Sequence, residues 1–126
     1  MAVTFAGVKT LQSVGGGCIK AYWRHASSEF PIESYDVYIR PNNSDVFLSA
    51  YVWASLPYRS EGTSAILRTE SDASTFLRND ITYYVGVRAK DITGLHDINT
   101  YIKAMKVVGD GSAPVEAPDR KIAKAV

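Results

Sequence analysis

The sequence predicts an all-β fold, two antiparallel sheets packed as a sandwich, on three observations. Short runs in which apolar and polar residues alternate recur along the chain, and turn residues separate them. Eight Tyr, four Phe and two Trp stand against two Met, and aromatic side chains suit a pleated, half-buried surface. A chain of 126 residues, 46% hydrophobic and 21% charged, holds one domain with a core of its own, which excludes wholesale disorder.

Each element follows from local pattern. Val3 to Val14 contains the first strand, closed by Gly15-Gly16-Gly17. Ile19, Ala21 and Trp23 then alternate with Lys20, Tyr22 and Arg24, a period of two that turns Trp23 into the core. Ala26 to Pro31 is a loop. Tyr35, Val37 and Ile39 alternate with Asp36, Tyr38 and Arg40 in a third strand that Pro41-Asn42-Asn43 ends. Val46 to Ala54 admits two readings. Asp45 as an N-cap ahead of Phe47, Leu48, Tyr51 and Val52 fits one or two helical turns, but the surrounding β context favours a fourth strand. Pro57 to Thr63 is a polar loop and Ser64 to Thr69 a short strand. Tyr83, Val85, Val87 and Ala89 give the cleanest alternation in the chain. A turn-rich loop, Asp91 to Asn99, carries Gly94 at its middle, and Tyr101 to Val108 is the closing strand.

Composition changes after Val108. Gly109-Asp110-Gly111-Ser112 and the prolines at 114 and 118 describe an extended linker that cannot pair in a central strand. Beyond it, Arg120, Lys121 and Lys124 lie beside Ile122 and Val126, with Pro118 suited to a first helical turn. Eight residues hold no helix in water without a surface to pack on. The expected organisation is a sandwich over residues 1–108 and a C-terminal arm over 109–126, with Arg120, Lys121, Ile122, Lys124 and Val126 as its candidate assembly contacts.

Charge and chemistry exclude several function classes. Fourteen basic against 13 acidic residues leave a net charge of +1, without the basic excess that nucleic-acid binding requires. No stretch approaches the ~20 apolar residues of a membrane helix. The one cysteine, Cys18, forms no internal disulfide, which favours a reducing cytoplasm, and no signal peptide is visible in Met1 to Leu11. Asn42-Asn43-Ser44 matches a glycosylation acceptor and, without secretion, is read as chance. His25, His96 and Cys18 supply neither a nucleophile–base–acid constellation nor four zinc ligands. Asp91, Asp97 and Asn99 are oxygen ligands in one loop, but their spacing departs from the EF-hand pattern and Asx turns account for them. The expectation is a protein with no catalytic residues, no metal and no cofactor.

Three features resemble the fibronectin type III family. Ile19-Lys20-Ala21-Tyr22-Trp23 resembles its second strand, which ends in a core tryptophan. Ile32, Tyr35, Val37 and Ile39 resemble its third. Leu77, followed six residues later by Tyr83-Tyr84-Val85-Gly86-Val87-Arg88-Ala89, resembles its leucine, tyrosine corner and penultimate strand, and Gly94 falls in the next hairpin. The resemblance covers residues 4 to 108. Asn79 and Ile81 stand where the family often has proline and threonine, and the span from the third strand to Ile66 is long for it. What it implies is an immunoglobulin-like sandwich with Trp23, Tyr35, Leu77, Tyr83, Val85 and Val87 in the core.

Two surfaces are candidates for recognition. One is the loop, with Leu95 and Ile98 as apolar contacts and Asp91, His96, Asp97 and Asn99 as polar ones. The other is a set of aromatics outside the core pattern. Tyr22, Tyr38 and Tyr84 fall on the outward phase of their strands, and Tyr51, Trp53 and Tyr58 lie in the ambiguous segment and after it. Such a set serves as an interface or a sugar-stacking platform, or is ordinary cross-strand pairing. Lys20, Arg24, Arg40 and Arg88 share that phase. Fibronectin type III chains that start at a plain methionine, lack a leader and carry an arm resemble tailed-bacteriophage virion proteins. The resemblance implies a tail, neck or capsid-decorating subunit, assembled in the host cytoplasm. Its partners would be other virion proteins and copies of itself, with neither nucleic acid nor membrane. The alternative is an adhesion module that takes a host-surface glycan or protein.

Overall fold

Every regular element but one among the described residues of the computed structural model, 3–13, 17–60, 62–72 and 74–107, is a β-strand. The strands are β1 (Val8–Ser13), β2 (Ile19–Trp23), β3 (Ile32–Pro41), β4 (Val52–Pro57), β5 (Ser64–Leu67), β6 (Thr82–Asp91) and β7 (Ile102–Lys106). They form two antiparallel sheets, one ordered β1-β2-β5 and the other β4-β3-β6-β7, packed as a β-sandwich. The arm over 109–126 lies outside the described residues.

Alternation builds the core. Ile19, Ala21 and Trp23 of β2 face Tyr35, Val37 and Ile39 of β3 and Tyr83, Val85, Val87 and Ala89 of β6, all buried, with Leu67 and Leu77 closing one end. Trp23 and Tyr35 meet at 5.5 Å between ring centroids. Tyr83 buries its ring and keeps its hydroxyl satisfied, accepting from the Arg78 amide at 3.0 Å and donating to Glu70 at 2.7 Å. Burying an aromatic is favourable only when its polar tip finds such partners.

The segment that admitted two readings holds part of each: one helical turn, not capped by Asp45, and then a strand. Residues 45–48 are irregular, Ser49–Tyr51 form one turn of 3-10 helix, and β4 begins at Val52. Trp53 sits at a bulge in the β3–β4 ladder, between the Val37–Ala54 and Tyr38–Val52 pairs. The expected strand over Val46 to Ala54 is therefore corrected in its first half. These residues do not extend a sheet; they fold back as a strap over the outer face of the four-stranded one. Val46 is fully buried there, and the Phe47 ring sits edge-on to Tyr38 at 5.1 Å. Gly86 of β6 makes room, because a Cβ on it would stand 2.5 Å from that ring.

Candidate functional site

One end of the sandwich gathers the β2–β3 connection, the β6–β7 loop and the N-terminal residues. Thr4 and Ser27 exchange backbone hydrogen bonds, and the Ile92 amide donates to Pro31. Two buried aspartates fix this end. Asp91 Oδ1 accepts from the amides of Thr93 at 2.9 Å and Leu95 at 3.2 Å and from the Thr93 hydroxyl, and Oδ2 accepts from Ser28. The Thr93 hydroxyl is the main reason its carboxyl lies below the usual range. Asp97 accepts from the Ala89 amide at 2.6 Å and from the Asn99 amide and side chain. Asn99 donates to Val87, and Arg88 clamps the Asn99 carbonyl through Nε and Nη2.

These contacts revise the polar half of the candidate recognition loop. Asp91 and Asp97 point inward and are consumed in holding backbone, so neither presents a carboxylate to a ligand. The signal was legible in the Asp-x-Thr and Asp-x-Asn spacings, which are Asx turns. His96 stays at the surface with Nε2 3.4 Å from Asp36 Oδ2. Ser55 donates to the other oxygen of Asp36 at 2.6 Å. The carboxylate sits between hydroxyl and imidazole, so the serine proton faces Asp36 and not the His96 ring. Among the described residues no group of His, Cys, Asp and Glu is placed to hold a metal ion. Cys18 is buried, and burial pushes its thiol up.

With the acids turned in, the loop turns its apolar residues out. Ile98 is 84% exposed, Ile92 and Tyr101 are 59% and Leu95 is 45%, and Phe30 of the neighbouring connection adds a fifth. Sequence reasoning singled out Leu95 and Ile98 but assigned Tyr101 to the closing strand and left Phe30 and Ile92 as loop residues. A cavity of about 310 Å³ opens beside Ile98 and Tyr101, floored by Val3 and Phe5. A second, of about 290 Å³, opens at Phe30, Ile32 and Tyr58.

Tyr58 joins this end through His25. Their rings lie 4.8 Å apart. His25 Nε2 is 2.7 Å from the Ser60 carbonyl, an acceptor only, so Nε2 carries the proton. Nδ1 then accepts from the Tyr35 hydroxyl at 2.8 Å, while that hydroxyl accepts from the Ala26 amide.

The six candidate aromatics do not converge on one surface. Tyr22 lies on the three-stranded sheet, its hydroxyl on Gln12 at 2.8 Å and Lys20 near its ring. Tyr38, expected to face solvent, is buried beneath Phe47, and the reason is the strap, which strand phase cannot reveal. Tyr51 lies in the strap under the Arg40 guanidinium, 4.4 Å from its ring centroid, and Tyr84 is half-buried opposite Arg40. Trp53 packs on the core and donates to Thr69. Trp23, Tyr35, Leu77, Tyr83, Val85 and Val87, expected in the core, are all buried. Arg120, Lys121, Ile122, Lys124 and Val126 lie outside the described residues.

No family model matches the chain, and no curated protein matches it. Among solved structures it is similar to the crystal structure of the spore cortex lytic enzyme SleM of Clostridium perfringens, at 16% identity and a TM-score of 0.49. The match covers 81% of this chain and 27% of that one, so the chain spans well under two thirds of that protein's length.

Proposed function

We propose that this chain is a non-enzymatic assembly subunit with a fibronectin type III-like sandwich, and that it belongs to a bacteriophage virion. It docks on neighbouring virion proteins through the loop end and through the arm over 109–126. The carrying observation is the rigid display of Ile92, Leu95, Ile98 and Tyr101 on a backbone pinned by two buried aspartates. Apolar side chains concentrated at one end mark an interaction site, and a fixed backbone reduces the ordering entropy that docking costs. The strand order β1-β2-β5 over β4-β3-β6-β7, with Trp23 and Tyr83 where the resemblance places them, supports the family reading.

Immunogold labelling of particles purified from the phage that encodes this sequence tests the proposal. Label at a defined site on the particle is the expected result. Particles that carry none of the chain refute the virion reading. A second reading, adhesion to a surface glycan, draws on Tyr22, whose half-exposed ring is flanked by Gln12 and Lys20 in the manner of a stacking platform.

A further inference from the structure

The geometry points to a head-to-tail contact in which residues 120–126 of one copy seat in the Val3–Phe5 cavity of the next. This rests on the assembly reading above and names the partner as a second copy of this chain. Direction is the first argument. β7 runs from the loop end to the opposite end, where Val107 is held by backbone hydrogen bonds to Ile81 and Asp80. Val107 therefore stands at the end of the sandwich opposite its own cavity, the end beyond which a stacked copy would sit.

Length is the second argument. Residues 108–126 span at most about 68 Å when extended, and the body they would have to retrace is the length of β6, roughly 30 Å for ten residues. Reaching the home cavity needs a full reversal and orders most of the segment. A copy stacked end to end presents its cavity directly in the path.

Chemistry is the third. The cavity is lined by Val3, Phe5, Ile98 and Tyr101 together with polar Asn99 and Thr100 and the inward-turned Asp97. Its volume of about 310 Å³ accommodates aliphatic side chains. The segment offers Ile122 and Val126, four residues apart, interleaved with Arg120, Lys121 and Lys124. Ile122 and Val126 would meet the apolar part of that lining, and the basic residues between them would stay at its rim in water. Such a contact is heterologous, so it propagates a row of copies or closes a ring.

Light scattering on the eluting full-length chain over a hundredfold range of concentration tests it, together with two full-length variants. One carries Leu95→Asp and Ile98→Asp, the other Ile122→Asp and Val126→Asp, and thermal melts check that both stay folded. The wild type should exceed the monomer mass, increasingly so with concentration, and each variant alone should be monomeric. An equimolar mixture should give a species of two chains and no larger, because each variant keeps one working half of the contact. A wild type that stays monomeric throughout overturns the inference. If only the arm variant loses assembly, the arm docks elsewhere, and the inference falls while the assembly reading stands. If the wild type assembles and neither variant loses it, arm and loop end both fall.

Discussion

The outer faces of the two sheets start from the same sequence signal and end differently. Tyr22 on β2 and Tyr38 on β3 both hold the outward phase of an alternating strand, the first between Lys20 and Arg24, the second between Asp36 and Arg40. On the three-stranded sheet Tyr22 stays half-exposed, touched by Gln12 and Lys20. On the four-stranded sheet Tyr38 is buried, because the strap puts Phe47 over it and Arg88 lays its guanidinium on the other side of that ring, 3.9 Å from the centroid. Strand phase tells which face a residue takes. What covers that face is decided by chain far away in sequence.

Removing Tyr38 should therefore produce the largest effect of any outward residue. Tyr38→Ala takes an aromatic from beneath Phe47 and is expected to cost about 3 kcal/mol, read by urea unfolding. A loss under about 0.5 kcal/mol, the ordinary surface value, would mean that the strap does not cover this face in solution and that the two faces are alike.

The notch over Gly86 sharpens the same contrast. Gly86→Ala places a methyl 2.5 Å from the Phe47 ring, and overpacking of this kind costs roughly 1–3 kcal/mol. Phe47→Ala lowers stability by itself but empties the notch, so Gly86→Ala made in that background should be close to neutral. The double-mutant cycle reads this non-additivity directly. Additive losses would place the Phe47 ring elsewhere than over Gly86.

These residues show what the sequence made legible. The core alternations of β2, β3 and β6 could be read because each is local with period two, and Trp23, Tyr35, Tyr83, Val85 and Val87 are buried as expected. The strap could not be read, because Asp45 to Tyr51 fits a helical and a strand reading about equally in sequence and takes its shape from Tyr38, Gly86 and Arg88. The unusual length between the third strand and Ile66 was its only trace. At the loop end, Leu95 and Ile98 were legible as apolar residues in a turn-rich stretch. The Asx turns of Asp91 and Asp97 were legible in their spacing; that these turns bury both carboxylates and leave none for recognition was not.

The upper part of the covered face depends on that loop, since His96 reaches Asp36 from it. Acid should loosen it in a defined direction. Asp91 has a folded-state pKa below its ordinary 3.8, chiefly through the Thr93 hydroxyl. Its contribution is complete above 3.8 and is lost as pH falls from there through the folded value, because the unfolded chain takes up the proton first. Asp72, at the opposite end, is held at about 2 mainly by the Thr75 hydroxyl and adds to the same acid limb. The difference between wild type and Asp91→Asn isolates the loop. Melting midpoints should separate the two proteins above pH 4 and draw them together as the pH falls below it. A constant separation would mean that the Asp91 hydrogen bonds do not depend on its charge.

The smallest effect is expected on the open face. Tyr22→Ala removes one hydrogen bond to Gln12 and a contact with Lys20, on a half-exposed position of the three-stranded sheet. Exposed hydrogen bonds trade against water, and an exposed cation near a ring contributes little, so the change should stay within about 0.5 kcal/mol. A near-neutral Tyr22→Ala beside a costly Tyr38→Ala establishes that identical phase and residue type conceal opposite environments. It also leaves Tyr22 available to a ligand at no cost in fold. If Tyr22→Ala instead destabilises as strongly as Tyr38→Ala, something does cover the three-stranded sheet. Variants in the residues outside the described ones, 1–2, 14–16 and 108–126 first, should then reproduce the loss.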